Sequence, residues 1–168
     1  MRLFLALWPD DDVRARLVAA QRGWTWPARV ALTPPERLHV TLHFLGEVND
    51  AAARALAVRL PACPPLRLTL DRSALWPQGI AVLEAGEPPS ALLELHAALA
   101  AGLRGLGLRI ETRRWRPHVT LARHAEGALP PASFEPVEWP LRGYALVRSH
   151  AGPPLRYEVI ARSGAISG

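Results

Sequence analysis

The tetrapeptide His-Val-Thr-Leu occurs twice, as His39-Val40-Thr41-Leu42 and as His118-Val119-Thr120-Leu121, once in each half of a 168-residue chain. Given the 6 histidines in the sequence, chance alone yields about 0.2 His-x-Thr pairs, so the repetition carries information. In extended backbone, successive side chains point to opposite faces, so each copy sets its His and Thr on one face and its Val and Leu on the other. Each copy therefore reads as a strand half-buried through its aliphatic residues, presenting an imidazole and a hydroxyl together. Imidazole exchanges a proton near neutral pH, and a hydroxyl holds an anionic oxygen. Two such strands face to face would suit in-line displacement at phosphorus, with one histidine taking a proton from the attacking oxygen and the other giving one to the leaving oxygen. Two half-buried strands whose polar faces merely meet solvent would read the same way.

A chain of 168 residues, 49% of them hydrophobic, has the size and core material of one compact unit. The apolar run Leu3 to Trp8 is shorter than the core of a signal peptide and is followed by Asp10, Asp11 and Asp12, which argues against secretion. No stretch is long and apolar enough to span a membrane. The single cysteine, Cys63, allows no internal disulfide, and a reducing cytoplasm is the expected compartment. The net charge of +5 favours an anionic partner. All 20 basic residues are arginine, however, amid abundant Ala, Leu, Pro and Gly, so the charge also has the look of a coding bias.

Patterning predicts a strand over Arg2 to Trp8 and a helix over Asp10 to Arg22, with an acidic first turn, Val13, Leu17 and Val18 inward, and Gly23 at its end. The first motif strand is expected over Arg37 to Leu45, then a helix capped by Asn49 and running to Leu60. Strands follow at Leu66 to Asp71 and Ile80 to Glu84, with Trp76 to Gly79 as the turn between them. Pro88 and Pro89 open a third helix with Ser90 as its cap and Leu92, Leu95, Leu99 and Leu103 as its apolar stripe. Gly102, Gly105 and Gly107 terminate it; their order is not that of a dinucleotide-binding loop. The second motif strand is expected over Trp115 to Ala122, and later strands over Arg142 to Ser149 and Tyr157 to Ser163. The element order predicts an α+β fold of two related halves, mostly antiparallel sheet inside and helices outside.

The motifs extend as Leu38-His39-Val40-Thr41-Leu42-His43-Phe44-Leu45-Gly46 and as Arg116-Pro117-His118-Val119-Thr120-Leu121-Ala122-Arg123. With the opening Arg2-Leu3-Phe4, the late Leu146-Val147-Arg148-Ser149 and Tyr157, the chain resembles the 2H phosphoesterase superfamily. Within it, the chain is most similar to the RNA 2′,3′-cyclic phosphodiesterases, historically called 2′-5′ RNA ligases. That resemblance implies a bilobal, pseudo-twofold fold over residues 1–168, one motif per half (39–42 and 118–121), with two mostly antiparallel sheets lining a central cleft. It also implies metal-independent chemistry without a cofactor, on RNA bearing a 2′,3′-cyclic phosphate end or on a small cyclic nucleotide, and no obligatory protein partner. Ring opening would yield a 2′-phosphomonoester. His39 would be the proton donor to the leaving 3′ oxygen, His118 the proton acceptor from water, Thr41 and Thr120 the holders of phosphate oxygens, and Arg123 a phosphate-neutralising cation. The alternatives are 2′-5′ ligation without ATP through the same site, and an RNA-end-binding module without chemistry.

Two positions stand apart from the pattern. Strict alternation aims Arg123 away from the His118 face, so it reaches a phosphate only if the strand ends or bulges after Leu121. Leu32 stands where the resemblance leads one to expect an aromatic residue, seven positions before the first motif histidine. Residues four apart on a strand lie about 13 Å apart, too far for His39 and His43 to share one zinc. His43 is therefore expected to be structural or solvent-facing, and His96, His124 and His150 carry no expected role. Most of the six tryptophans are expected to pack the core. Arg113, Arg114 and Arg116 around Trp115 form either a surface for an RNA tail or a charged, solvated strand entrance.

Overall fold

Strand β1 (Arg2–Leu7) is apolar on both faces and is buried on both, which makes it an interior strand of a sheet. The computed structural model describes residues 1–59 and 61–163. Beside β1 run α1 (Asp11–Arg22), β2 (Ala31–Leu32), a single 3₁₀ turn (Pro35–Arg37), β3 (Val40–Glu47) and α2 (Asp50–Arg59). The chain continues with β4 (Leu66–Leu70), β5 (Arg72–Trp76), β6 (Ile80–Glu84) and α3 (Ser90–Gly105). It closes with β7 (His118–Arg123), β8 (Val137–Leu141), β9 (Ala145–His150) and β10 (Arg156–Arg162). The fold is α+β with two antiparallel sheets. The large one has the order β10-β9-β1-β3-β7-β6-β5, with β2 added alongside β7; the small one pairs β4 with β8.

The large sheet is two wings, because β3 and β7 meet only where Val40 pairs with Val119. One wing holds β10, β9, β1 and β3, and the other holds β7, β6 and β5. One continuous apolar core runs through both halves, from Leu3, Leu5 and Leu7 to Val119 and Leu121, and includes the inward residues of the small sheet. A second, smaller cluster sits on the opposite face of the first wing, where Phe4, Ala6, Ala145 and Val147 are covered by Trp8, Tyr157 and Val159.

Local chemistry accounts for the helix ends. The Asp10 carboxylate accepts from Val13 N–H at 2.8 Å, and Asp11 and Asp12 sit at the positive end of α1. Asn49 Oδ1 accepts from Ala52 N–H at 2.8 Å at the start of α2; the expected last residue of that helix, Leu60, lies outside the described residues. Ser90 is the first helical residue of α3 rather than its cap, since the fixed ring of Pro89 already sets the extended backbone of the cap position. Gly102 and Gly105 remain inside α3, and only Gly107, with φ of +76°, takes the left-handed conformation that ends it.

The turn at 77–79 joins β5 to β6, not β4 to β6, with Trp76 opposite Ile80. Gln78 and Gly79 both have φ of +68°. Strand β5 escaped the pattern because it is an edge strand without a clear apolar face, whereas Leu66, Leu68 and Leu70 alternate inward and send β4 to β8 instead. Strands β2 and β8 were likewise not expected. Among the described residues, no helix is long and apolar enough to cross a membrane.

Candidate active site

The Val40–Val119 pair places the two motifs side by side and antiparallel, so the register runs His39 toward Thr120 and Thr41 toward His118. Val40, Leu42, Val119 and Leu121 are all buried, as alternation requires, and the two His and two Thr side chains line a cleft of about 740 Å³. Five of the residues expected to form the site are thus gathered in one cleft: His39, Thr41, His118, Thr120 and Arg123.

Each histidine is held by the backbone two residues before it. His39 Nδ1 lies 2.6 Å from the Arg37 carbonyl, and His118 Nδ1 lies 2.7 Å from the Arg116 carbonyl. A carbonyl only accepts, so both Nδ1 atoms carry hydrogen and both Nε2 atoms are the exchanging ones. His39 Nε2 lies 3.0 Å from Thr41 Oγ1. That hydroxyl donates to the neutral ring and accepts from the protonated one, so it supports both states. His118 Nε2 has no protein partner among the described residues.

The surroundings of the two rings differ. His39 stacks on Trp8 at 5.4 Å, tilts against Phe4 at 5.1 Å and meets Tyr157 edge-on at 5.5 Å. Desolvation in this aromatic box lowers its pKa to about 4; the bond to the Arg37 carbonyl opposes the shift, and charge on His118 and Arg37 adds to it. His118 packs on Trp76 at 4.4 Å. Burial lowers its pKa too, but the bond to the Arg116 carbonyl and the Glu84 carboxylate oppose that, while Arg116 and Arg123 reinforce it. Buried Glu84 is paired with Arg116 at 2.8 Å, and the Arg116 guanidinium lies over the Trp76 ring at 4.6 Å.

Both motif strands bulge at the same residue. In β3, Thr41 pairs with Ala6 and His43 with Leu5, leaving Leu42 unmatched; in β7, Thr120 pairs with Val82 and Ala122 with Ala81, leaving Leu121 unmatched. The bulge resets alternation: Leu121 and Ala122 are both buried, and Arg123 emerges exposed on the cleft side. The corresponding residue of the first half, five after His39, is Phe44, which is 50% exposed and also lines the cleft. Each bulged carbonyl finds a side-chain donor. Gln21 Nε2 donates to the Leu121 carbonyl at 2.8 Å, and His96 Nε2 donates to the Leu42 carbonyl at 2.9 Å.

His43 is buried, and its Nε2 donates to the His96 carbonyl at 2.9 Å. Its ring stacks on His96 at 4.0 Å, and His96 stacks on Trp115 at 4.1 Å. The Trp115 indole donates to the Thr41 carbonyl at 3.0 Å. His43 is therefore structural, and His96, which carried no expected role, supports the first motif from behind. Sequence reasoning also missed Trp8, Trp76, Glu84 and Gln21; of these, only the Trp residues carried a signal, as large aromatics near the strands that flank the motifs. Arg37 lines the cleft, and its Nε is buried without an acceptor among the described residues. Leu32 is 45% exposed at the cleft beside Ala122. Among the described residues, no three His, Cys, Asp or Glu side chains are grouped as metal ligands.

Comparison with known proteins gives a consistent set of likenesses. The model of the 2′-5′ RNA ligase superfamily matches residues 9–153. A Thermus thermophilus protein named RNA 2′,3′-cyclic phosphodiesterase is 38% identical, covering 91% of this chain and 84% of its own. An Escherichia coli protein of the same name is 30% identical, covering 79% of this chain and 78% of its own. Among solved structures, Escherichia coli LigT complexed with 3′-AMP superposes with a TM-score of 0.88 at 26% identity, covering 99% of this chain and 98% of that one.

Proposed function

The chain belongs to the 2′-5′ RNA ligase superfamily, and we propose that it is an RNA 2′,3′-cyclic phosphodiesterase that hydrolyses the cyclic phosphate to a 2′-phosphomonoester by two-histidine acid–base catalysis without a metal. The observation that carries this reading is the pair of Nε2 atoms turned into one cleft, each ring fixed through Nδ1 by a backbone carbonyl. The activity named for the Thermus thermophilus and Escherichia coli relatives supports the same substrate class.

In the reaction, His118 Nε2 takes a proton from water as the water oxygen bonds to phosphorus. The bond from phosphorus to the 3′ oxygen breaks, and that oxygen takes the proton held on His39 Nε2. Thr41, Thr120 and Arg123 hold the non-bridging oxygens, where charge concentrates in the transition state. His39 is neutral in the empty cleft, since its pKa is about 4. The phosphate it faces is anionic and favours the imidazolium, so the substrate itself loads the acid. A protein whose one thiol, Cys63, is buried suits the reducing cytoplasm in which such RNA ends would be met.

The test is turnover of a nucleoside 2′,3′-cyclic phosphate in excess EDTA, with the product's phosphate position identified and the His39→Ala, His118→Ala double variant as control. Release of the 2′-monophosphate by the native chain alone is the expected result. A 3′-monophosphate product would mean that the leaving oxygen is assigned wrongly, and activity lost in EDTA would sink the metal-free mechanism.

A further inference from the structure

Adjoining the catalytic cleft is a second cavity of about 730 Å³. The two share the segment Arg113 to Arg116 as a common partition. The partition is fixed to the first motif, because Trp115 at its centre is bonded to the Thr41 carbonyl and stacked on His96. Five arginines line the second cavity, at positions 72, 104, 113, 114 and 116, against the carboxylates of Glu84 and Glu111. Glu84 is taken by Arg116, and Glu111 by Arg113. Arg72, Arg104 and Arg114 have no carboxylate partner among the described residues.

Three uncompensated guanidinium groups in a concavity attract a polyanion, and a fixed aromatic at its edge suits a strand that runs over it. A cyclic phosphate is by its chemistry the last phosphate of its strand, so the rest of the RNA runs away from the catalytic cleft in the 5′ direction only. Resting on the proposed function, we propose that the second cavity seats the phosphodiester backbone of a single-stranded RNA on the 5′ side of the reacting end. The preferred substrate is then an oligoribonucleotide rather than a free nucleoside cyclic phosphate. Arg114 and Arg116, which line both cavities, carry the strand across the partition, and Arg72 and Arg104, which line only the second, hold its upstream phosphates.

The test compares the native chain with Arg72→Gln, Arg104→Gln and the double variant, all changes at exposed positions. The substrates are a tetraribonucleotide ending in a 2′,3′-cyclic phosphate and the corresponding nucleoside 2′,3′-cyclic phosphate. The expected result is a rise of about tenfold in the ratio of the two KM values in the double variant and about threefold in each single variant. With two contacts removed, the slope of log affinity for the oligonucleotide against log salt falls by about 1.4. A ratio that stays within twofold, with an unaltered salt slope, overturns the proposal. Fluorescence anisotropy of a labelled tetraribonucleotide 3′-monophosphate separates this inference from the catalytic reading. Weaker binding by the double variant upholds the cavity assignment even if neither substrate turns over, and equal binding refutes it even if both do.

Discussion

The first and second halves of the molecule deliver a histidine to the cleft by one shared device and then surround it with opposite chemistry. In both, a carbonyl two residues upstream fixes Nδ1, a bulge follows the threonine, and a side chain from a helix holds the bulged carbonyl: His96 of α3 for Leu42, Gln21 of α1 for Leu121. Around His39 the neighbours are Phe4, Trp8 and Tyr157; around His118 they are Trp76, Arg116, Glu84 and Arg123. The five-residue offset that gives the second half Arg123 gives the first half Phe44. The shared device sets the geometry of both rings, and under the proposed function the difference in surroundings assigns one ring the acid and the other the base.

The comparison can be broken most directly by removing each ring. His39→Ala and His118→Ala are each expected to lower kcat by roughly 10³-fold, and the double variant by little more, since acid and base act on one transition state. A tenfold loss at one site against a thousandfold at the other, measured by steady-state kinetics, would mean that one histidine merely lines the cleft.

The supports behind the bulges come next. His96→Ala leaves the Leu42 carbonyl without its donor, at a cost of about 1–3 kcal/mol in stability, and is expected to lower kcat about tenfold. His96→Gln, which copies the Gln21 arrangement of the other half, recovers most of both. Equal losses for the Ala and Gln variants, by thermal melting and kinetics, would show that the two supports are not equivalent.

The aromatic box of the first half has a signature in stability. His39 has a folded pKa of about 4 against an ordinary value of 6.5. Between those values the unfolded chain binds a proton that the folded chain does not, so stability is full above pH 6.5 and falls as the pH drops toward 4. His96, lowered to about 4 chiefly by burial, contributes in the same window. Tm is expected to fall by roughly 10 °C from pH 7 to pH 4.5, and His39→Phe to fall by less. An equal fall in the variant would place the pH sensitivity elsewhere.

The smallest effect sharpens the other half. Glu84 raises the His118 pKa, so Glu84→Gln lowers it, and the limb of kcat/KM that His118 sets moves to lower pH. A pH profile of kcat/KM left unmoved by the substitution would mean that Glu84 does not tune His118.

The alternation of His-Val-Thr-Leu made the inward and outward faces of both motif strands legible, because sidedness in a strand is a local property. Caps behaved the same way, with Asp10 and Asn49 each bonded to an amide three residues on. Arg123 shows where local reading ends. Its reach depends on the bulge at Leu121, which is held by a donor 100 residues away in sequence. Trp8 and Trp76 escaped for a related reason: each flanks its histidine from a neighbouring element, and pairing between distant segments leaves no mark on spacing. Strands β5 and β8 were missed because their edges and partners are fixed by where β4 goes, not by their own pattern.

The most direct measurement is a residue-resolved NMR titration of the two motif histidines, free and with a nucleoside 2′-monophosphate in the cleft. The expected result is that His39 titrates near pH 4 in the free protein and moves up by more than about one unit when the phosphate binds. A His39 that titrates near its ordinary value in the free protein, or is unmoved by bound phosphate, would contradict its assignment as the acid loaded by substrate.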